Sequence, residues 1–192
     1  MTSPSGPLPA EIEVVGRQLG RPPRGVTAIA HYCPCGLPDV VQTQPRLPDG
    51  TPFPTLYYLT CPRASAAMSR LEAAGMMREM TAELAADAAL RAAYHAAHAD
   101  YLARRDAAAA EAGLERLPPG TQSAGGMPDR VKCLHALAAH ELAVPGVNPL
   151  GARAVRAAGS WWDAGPCVQG PGEQGPGVRD ADAGQTSTGE AV

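Results

Sequence analysis

The chain has 192 residues, a formal net charge of -3 and a hydrophobic fraction of 45%, which suits one domain of ordinary size and excludes two large ones. The small negative charge offers no basic surface of the kind that binds nucleic acid or an anionic membrane. No segment approaches the roughly 18 apolar residues of a membrane-spanning helix, and the first twenty residues lack the pattern of a signal peptide. We therefore expect a cytoplasmic protein without membrane insertion, in which nucleic-acid binding is disfavoured and thiols stay reduced.

The pattern predicts a single α+β domain over residues 9–160, preceded by a flexible N-terminus at 1–8. Apolar residues at helical spacing in "PAEIEVVGRQLG" (9–20) predict a short amphipathic helix that ends at Gly20. Short runs rich in β-branched and aromatic residues then predict strands at 25–32, 39–44 and 54–60. Strands this close in sequence favour a small three-stranded antiparallel meander.

An alanine-rich helical region is predicted to follow the sheet. Pro62 suits the first turn of a helix that stops at Gly75, and residues 76–113 predict one long helix or two, broken near Asp87. Residues 117–128 read as a loop. Asp129 is a candidate N-cap for a helix over 130–143, and Asn148 with Pro149 opens another at 149–158.

The last 28 residues, 165–192, have the composition of a disordered tail. They are rich in glycine and proline, predominantly acidic and nearly free of large apolar side chains, so they cannot bury enough surface to offset the entropy lost on ordering. Cys167 is therefore expected to lie outside any preformed site.

The remaining four cysteines predict a metal site. In a meander, the end of the first strand (Cys33, Cys35) and the end of the third (Cys61) meet at the same edge of the sheet. Cys133 on a late helix would supply a fourth ligand, with His135 or His31 as the alternative. Such a set suits tetrahedral zinc and could also hold an iron–sulfur cluster. The metal would tie the sheet edge to the late helix and stabilise a thin core.

The spacing of these cysteines is not the double CxxC pattern, and two other interpretations stay open. Cys33 and Cys35 could only shape a turn while Cys61 and Cys133 pack as small buried hydrophobes. Alternatively, Cys133 could be a reactive thiol, because a helix start and the neighbouring Lys132 would lower its pKa.

The segment "MPDRVKCLH" (127–135) also suggests an anion site. Arg130 and Lys132 in the first turn of a helix would place two cations beside free backbone N–H groups. With Arg63, they could hold a phosphorylated or carboxylated small molecule for attack by Cys133. The alternative is an ordinary capped helix start exposed to solvent.

Two long blocks of the sequence resemble a known family. "CPCGLPDVVQTQPRLPDGTPFPTLYYLTCPR" (33–63) and "GMPDRVKCLHALAAHELAVPGVNPLG" (126–151) are similar to the actinobacterial domain of unknown function 501, over about residues 9–158. The resemblance implies no activity, ligand or catalytic residue. Members often lie in genomes near a septum-formation initiator protein, which suggests a third hypothesis, an adaptor with a protein partner in cell division or envelope assembly.

Overall fold

Three strands and six helices make up the described part of the chain, residues 6–121 and 123–168, in this computed structural model. The N-terminal half contains α1 (Pro9–Leu19), β1 (Val26–Tyr32), β2 (Pro38–Thr43), β3 (Tyr57–Leu59) and α2 (Pro62–Ala73). The C-terminal half contains α3 (Met76–Ala86), α4 (Ala88–Glu111), α5 (Leu134–Ala143) and α6 (Pro149–Ala158). The predicted α+β class is therefore confirmed.

The sheet is the predicted antiparallel meander, with strand order β1-β2-β3. Val26 lies opposite Thr43 at one end of the first pair, and Tyr32 lies opposite Pro38 at the other. The turn between β1 and β2 is closed by hydrogen bonds from the Cys33 N–H to the Leu37 carbonyl and from the Gly36 N–H to the Cys33 carbonyl. This stretch therefore forms the tight connection of a hairpin.

Helix α5 connects the helical region to the sheet. It contacts all three strands and also packs against α2 and α6. The tight α5–α6 approach requires a glycine, because a Cβ at Gly151 would lie 2.3 Å from the Leu137 carbonyl oxygen. His140 lies in this core, wholly buried between Tyr57 and Tyr101. Its Nδ1 faces the Asn148 amide at 3.3 Å, so His140 is part of the packed core.

Helix starts follow the predicted capping residues, with one correction. Asp87 accepts hydrogen bonds from the N–H groups of Ala89 and Leu90, which separates α3 from α4 as expected, and Asn148 caps α6. The predicted helix at 130–143, however, begins only at Leu134. Residues before it fold back on the preceding loop, since the Lys132 N–H donates to the Gly125 carbonyl at 2.6 Å.

The two ends of the chain are described only in part. Residues 1–5 of the predicted flexible N-terminus and 169–192 of the predicted tail lie outside the described residues. Residues 165–168 of that tail are described and contact the domain: Arg63 donates to the Gly165 carbonyl and Gln18 donates to the Cys167 sulfur. Within the described ranges, every helix is too short or too polar to cross a bilayer.

Candidate functional site

The candidate site lies where the end of α2 meets the start of α5. Glu72 sits in the last turn of α2, Cys133 is the N-cap residue of α5, and His135 is in the first turn of α5. One ligand atom from each residue lies within 4.8 Å of the other two. Among residues 6–121 and 123–168, this is the single group of three or more His, Cys, Asp or Glu side chains that converges so closely.

Glu72 ties the two helices together. Its Oε1 accepts a hydrogen bond from the Leu134 backbone N–H at 2.7 Å and another from His135 Nδ1 at 3.1 Å. The first of these satisfies an N–H group that the helix itself leaves unpaired. Glu72 therefore caps α5 from a different helix, and this contact places His135 and Cys133 on the α2 side of the junction.

His135 is held at both ring nitrogens by acceptors. Its Nε2 lies 3.1 Å from the Ser65 carbonyl oxygen and 3.3 Å from the Ser69 hydroxyl, while Nδ1 faces Glu72 and the Cys133 sulfur, the latter at 3.9 Å. A carbonyl and a carboxylate can only accept, so this arrangement favours the doubly protonated ring. The hydrogen bond with Cys133 is the main cause that raises the pKa of His135 to about 9; burial opposes it and Glu72 reinforces it.

Cys133 responds in the opposite sense. Burial by itself would raise its pKa, and the negative charge of Glu72 acts in the same direction, but His135 and the backbone N–H of Ala136 outweigh both, so the pKa lies below the ordinary thiol value. The imidazolium of His135 thus stabilises the thiolate form of Cys133. The expectation that the helix start lowers the pKa of Cys133 is consistent with this direction, although His135, and not Lys132, supplies the positive charge.

Two consecutive glycines shape the loop that delivers Cys133. Both Gly125 and Gly126 have positive φ, 63° and 94°, a region that side-chain-bearing residues rarely adopt. A Cβ at Gly125 would lie 2.5 Å from the Leu137 side chain, and one at Gly126 would lie 2.7 Å from the Arg130 carbonyl oxygen. The loop is therefore packed tightly against α5, which fixes the position of Cys133.

The structure does not bring the four predicted cysteine ligands together. No three sulfur atoms of Cys33, Cys35, Cys61 and Cys133, all of which are described, lie within 4.8 Å of one another. All five cysteines are free of disulfides, and they are distributed over three places: Cys33 neighbours Cys35, Cys61 neighbours Cys167, and Cys133 contacts His135. The ends of β1 and β3 lie at the same edge of the sheet as expected, on either side of β2, but Cys133 at the start of α5 faces α2 instead.

His31, the other predicted substitute ligand, is also engaged elsewhere. Its Nδ1 lies 2.6 Å from Oδ1 of Asp39, whose side chain is fully buried. Exposed His95 and half-buried His98 each have one partner as well: His95 lies 3.7 Å from Asp129, and His98 lies 2.8 Å from the Ser123 hydroxyl.

The three predicted anion-binding residues separate into two places. Arg130 and Lys132 line a cleft of about 300 Å³, together with His98, Thr121 and Asp129. Arg63 is not among the residues that line this cleft, since it lies at the start of α2 and donates to the Gly165 carbonyl. Cys133 does not line the cleft either, so the thiol that the sequence placed with these cations does not share the cleft with them.

Comparison with known proteins agrees with the sequence blocks that carry the resemblance. The sequence model of a protein family of unknown function, DUF501, matches residues 29–156, which is most of the chain. The chain belongs to the DUF501 family. No curated protein and no solved structure matches it. The region that defines this DUF501 domain contains Glu72, Cys133 and His135 but ends before Cys167.

Glu72 is the site residue that sequence reasoning missed. It is 61 positions before Cys133 in the DUF501 chain, and its role depends on how two helices pack, which periodicity alone does not reveal. One signal was available: Ser65, Ser69 and Glu72 are spaced four and three apart, so they share one face of α2. That polar face of α2 is the face that contacts His135.

Proposed function

We propose that this DUF501 protein binds a zinc ion through Glu72, Cys133 and His135. The observation that carries the proposal is the convergence of the Cys133 sulfur, His135 Nδ1 and Glu72 Oε1 within 4.8 Å. A thiolate, an imidazole and a carboxylate are the three protein ligand types that zinc takes. The metal would tie α2 to α5, rather than the sheet edge to α5.

The separations of the ligand atoms support this proposal. Bonds of about 2.3 Å to sulfur and about 2.1 Å to nitrogen or oxygen place tetrahedral ligand atoms about 3.4–3.6 Å apart. The Cys133 sulfur lies 3.9 Å from His135 Nδ1, and Nδ1 lies 3.1 Å from Glu72 Oε1. Adjustments of a few tenths of an ångström, within the range of side-chain rotation, would complete three corners of a tetrahedron.

The surroundings of His135 favour the same assignment. Histidine ligands characteristically donate their second ring N–H to a backbone carbonyl or a carboxylate, which fixes the tautomer and the ring orientation. The Ser65 carbonyl lies 3.1 Å from Nε2, which leaves Nδ1 to face Cys133 and Glu72. A zinc ion would replace the proton on Nδ1 and lie between the Cys133 sulfur and the Glu72 carboxylate.

Zinc suits this ligand set better than an iron–sulfur cluster. Such clusters take four cysteine thiolates, or two with two histidines, whereas this group offers one sulfur. Three protein ligands leave one tetrahedral position, and the Glu72 and His135 side chains are 23% and 27% exposed. Water can therefore reach the open position, as in zinc sites that act on substrates.

A metal-binding assay with matched variants tests the proposal. Full-length protein without a histidine tag is titrated with zinc against a chromophoric chelator, and cobalt(II) is added separately to look for thiolate-to-metal charge transfer. We expect one equivalent of tightly bound zinc. Cys133→Ser and His135→Gln should each weaken binding by about a hundredfold or more, while Cys35→Ser, which removes a thiol outside the group, should leave it unchanged.

Two outcomes would contradict the proposal. Less than about a tenth of an equivalent of bound zinc in the wild-type protein would exclude a metal site of useful affinity. Loss of zinc in Cys35→Ser and Cys61→Ser, with retention in His135→Gln, would instead assign the metal to the strand-end cysteines that the sequence suggested.

The high pKa of His135 makes zinc binding pH-dependent in a predictable sense. With a pKa of about 9, His135 carries a proton at neutral pH, and zinc must displace it to bind Nδ1. Affinity should therefore rise with pH, by at least about tenfold per pH unit between pH 6 and 8, with at least one proton released per zinc ion. Calorimetry in buffers of different ionisation enthalpy measures this number, and the absence of proton release would contradict binding at Nδ1.

The lowered pKa of Cys133 favours a second candidate function, that of an enzyme with Cys133 as its nucleophile. A thiolate beside a histidine cation is the arrangement that activates cysteine nucleophiles. Iodoacetamide distinguishes the two candidates. Rapid alkylation of Cys133 that bound zinc does not slow would favour the nucleophile, whereas protection by one equivalent of zinc would favour the metal site.

A further inference from the structure

A second cysteine pair lies where the segment after α6 returns to the sheet. Cys61, which is 1% exposed, ends the connection from β3 and is the N-cap residue of α2. Cys167, which is partly exposed, packs against the core cluster that contains Cys61. Arg63, two residues after Cys61, donates to the carbonyl of Gly165, two residues before Cys167, so the two segments that carry these thiols are in contact. Sequence reasoning placed Cys167 in a tail without structure, so this contact was not anticipated.

The surroundings of Cys167 favour a thiolate. The amide Nε2 of Gln18 donates to the Cys167 sulfur at 3.3 Å and to the Pro38 carbonyl at 2.6 Å. Arg63 donates to the carbonyl of Gly165, two residues before Cys167. The Gln18 amide thus contacts the Cys167 sulfur directly, while the Cys61 thiol and the more distant Arg63 guanidinium also favour its ionised form.

These contacts also divide the roles of the two thiols. The hydrogen bond from Cys61 is the main cause that lowers the pKa of Cys167 to about 6; burial opposes it, and Gln18 and Arg63 add to it. The same hydrogen bond and burial raise the pKa of Cys61. The partly exposed sulfur is therefore the nucleophile, and the buried one is its protonated partner.

We propose that Cys167 and Cys61 form a redox-active dithiol site that reduces hydroperoxides, with Cys167 as the attacking thiolate and Cys61 as the resolving thiol. The proposal stands apart from the zinc site, because it uses no residue of the Glu72–Cys133–His135 group. A second thiol nearby, partial exposure of the first and a neighbouring cation are the features that distinguish reactive cysteines from buried structural ones.

The reaction has two balanced steps. The Cys167 thiolate attacks one oxygen of the hydroperoxide, so that an S–O bond forms, the O–O bond breaks and an alcohol leaves after taking a proton from solvent. Cys167 is then a sulfenic acid, oxidised by two electrons. Cys61 attacks that sulfur next; the S–S bond forms, the S–O bond breaks and water leaves with the Cys61 proton. The resulting disulfide would join the segment after α6 to the start of α2.

Peroxide treatment of the reduced full-length protein tests the proposal. One equivalent of hydrogen peroxide is added, remaining thiols are alkylated, and peptides are analysed by non-reducing mass spectrometry. We expect a Cys61–Cys167 linked peptide that disappears on reduction. Cys61→Ser should accumulate a sulfenic acid at Cys167 that dimedone traps, Cys167→Ser should leave Cys61 reduced, and Cys35→Ser should behave as wild type.

The rate of alkylation provides a second readout in the wild-type protein. It does not require that Cys61→Ser, a substitution in the core, still folds. A thiol with a pKa near 6 is mostly ionised at pH 7 but is intrinsically less nucleophilic than one with the ordinary value of about 8.5. Iodoacetamide should therefore react with Cys167 about tenfold faster than with glutathione at pH 6, and about twofold faster at pH 7.

Three results would overturn the proposal. The first is the absence of the linked peptide in the wild-type protein. The second is oxidation of Cys61 in Cys167→Ser at the wild-type rate. The third is an alkylation profile of Cys167 that follows glutathione at both pH values.

Discussion

The sites around Cys133 and Cys167 start from the same functional group and differ in what surrounds it. Cys133 faces an imidazole and a carboxylate, His135 and Glu72, whereas Cys167 faces a second thiol, an amide and a more distant guanidinium. The first environment offers three kinds of zinc ligand and no sulfur partner. The second offers a sulfur partner but a single ligand type. The groups around each cysteine, rather than the thiol itself, therefore distinguish the candidate metal site from the candidate redox site.

The loops that deliver the two cysteines also differ, and substitution of one glycine in each loop measures that difference. Gly125 precedes Cys133 and Gly165 precedes Cys167; both have positive φ, 63° and 82°. A Cβ at Gly125 would lie 2.5 Å from buried Leu137 and 3.0 Å from the Cys133 carbonyl oxygen, while one at Gly165 would meet nothing within 4 Å.

We expect Gly125→Ala to lower the free energy of unfolding by about 3 kcal/mol or more, because it adds a steric clash to the cost of the left-handed backbone. Gly165→Ala should cost only about 1 kcal/mol, the cost of the backbone alone. Urea denaturation followed by circular dichroism measures both values. Equal losses would show that the loop before Cys133 is no more tightly held than the loop before Cys167.

The next largest effect is expected from the charge of Glu72, because the Cys133 site contains this carboxylate and the Cys167 site has no counterpart to it. Glu72→Gln keeps the shape of the side chain but removes the charge that pairs with His135. We expect the pKa of His135 to fall below about 9 and the free energy of unfolding at pH 6 to fall by about 1–2 kcal/mol.

The sign of the pH dependence follows from the raised pKa of His135. A raised pKa contributes stability that is fully present below the unfolded value of about 6.5 and is lost as the pH rises through about 9. The difference between wild type and Glu72→Gln should therefore be largest near pH 6 and shrink toward pH 9.5. Glu13→Gln, which removes an exposed ion pair with Arg17, is the control and should change stability by less than about 0.5 kcal/mol. A difference that grows with pH would contradict the assignment of a cationic His135.

The sequence predicted the fold better than it predicted either site. Local signals determine the helix starts at Pro62, Asp87 and Asn148, and strand periodicity with short connections determines the meander, so these expectations are confirmed. The start of α5 was placed four residues early because Asp129 is a plausible cap by composition, whereas contacts with Gly125 and Gly126 keep residues 130–133 out of the helix.

The sites depend on contacts between residues that are distant in sequence, and composition cannot supply them. Glu72 reaches Leu134 and His135 across 62 and 63 positions, and Gln18 reaches Cys167 across 149. The ends of β1 and β3 share an edge of the sheet as predicted, but helix packing decides which neighbour each cysteine has. The Gly- and Pro-rich composition of residues 165–192 also concealed that residues 165–168 contact the domain.

Gln18 contacts Cys167 and has no contact with the Cys133 site, so its substitution tests the Cys167 site alone. In Gln18→Leu, the sulfur of Cys167 and the carbonyl of Pro38 both lose a donor. We expect a loss of about 1 kcal/mol in the free energy of unfolding and slower alkylation of Cys167 at pH 6. The alkylation rate of Cys133 should stay unchanged, because its neighbours are His135 and Glu72. Slower alkylation of both cysteines would show that the variant perturbs the whole domain and would break the distinction between the sites.

Arg63 should give the smallest effect, and it tests whether charge or hydrogen bonding activates Cys167. The positive charge of Arg63 is the weakest of the contributions that lower the pKa of Cys167, after the hydrogen bonds from Cys61 and Gln18. Arg63→Gln should therefore slow the alkylation of Cys167 at pH 6 by only about twofold, and 1 M salt should slow the wild-type protein by a similar factor, because salt screens a partly exposed charge. Arg70→Gln, an exposed change further along α2, is the matched control. A tenfold loss in Arg63→Gln would mean that the guanidinium rather than the Cys61 thiol holds the thiolate, and the site would then resemble the charge-paired Cys133 more than a dithiol.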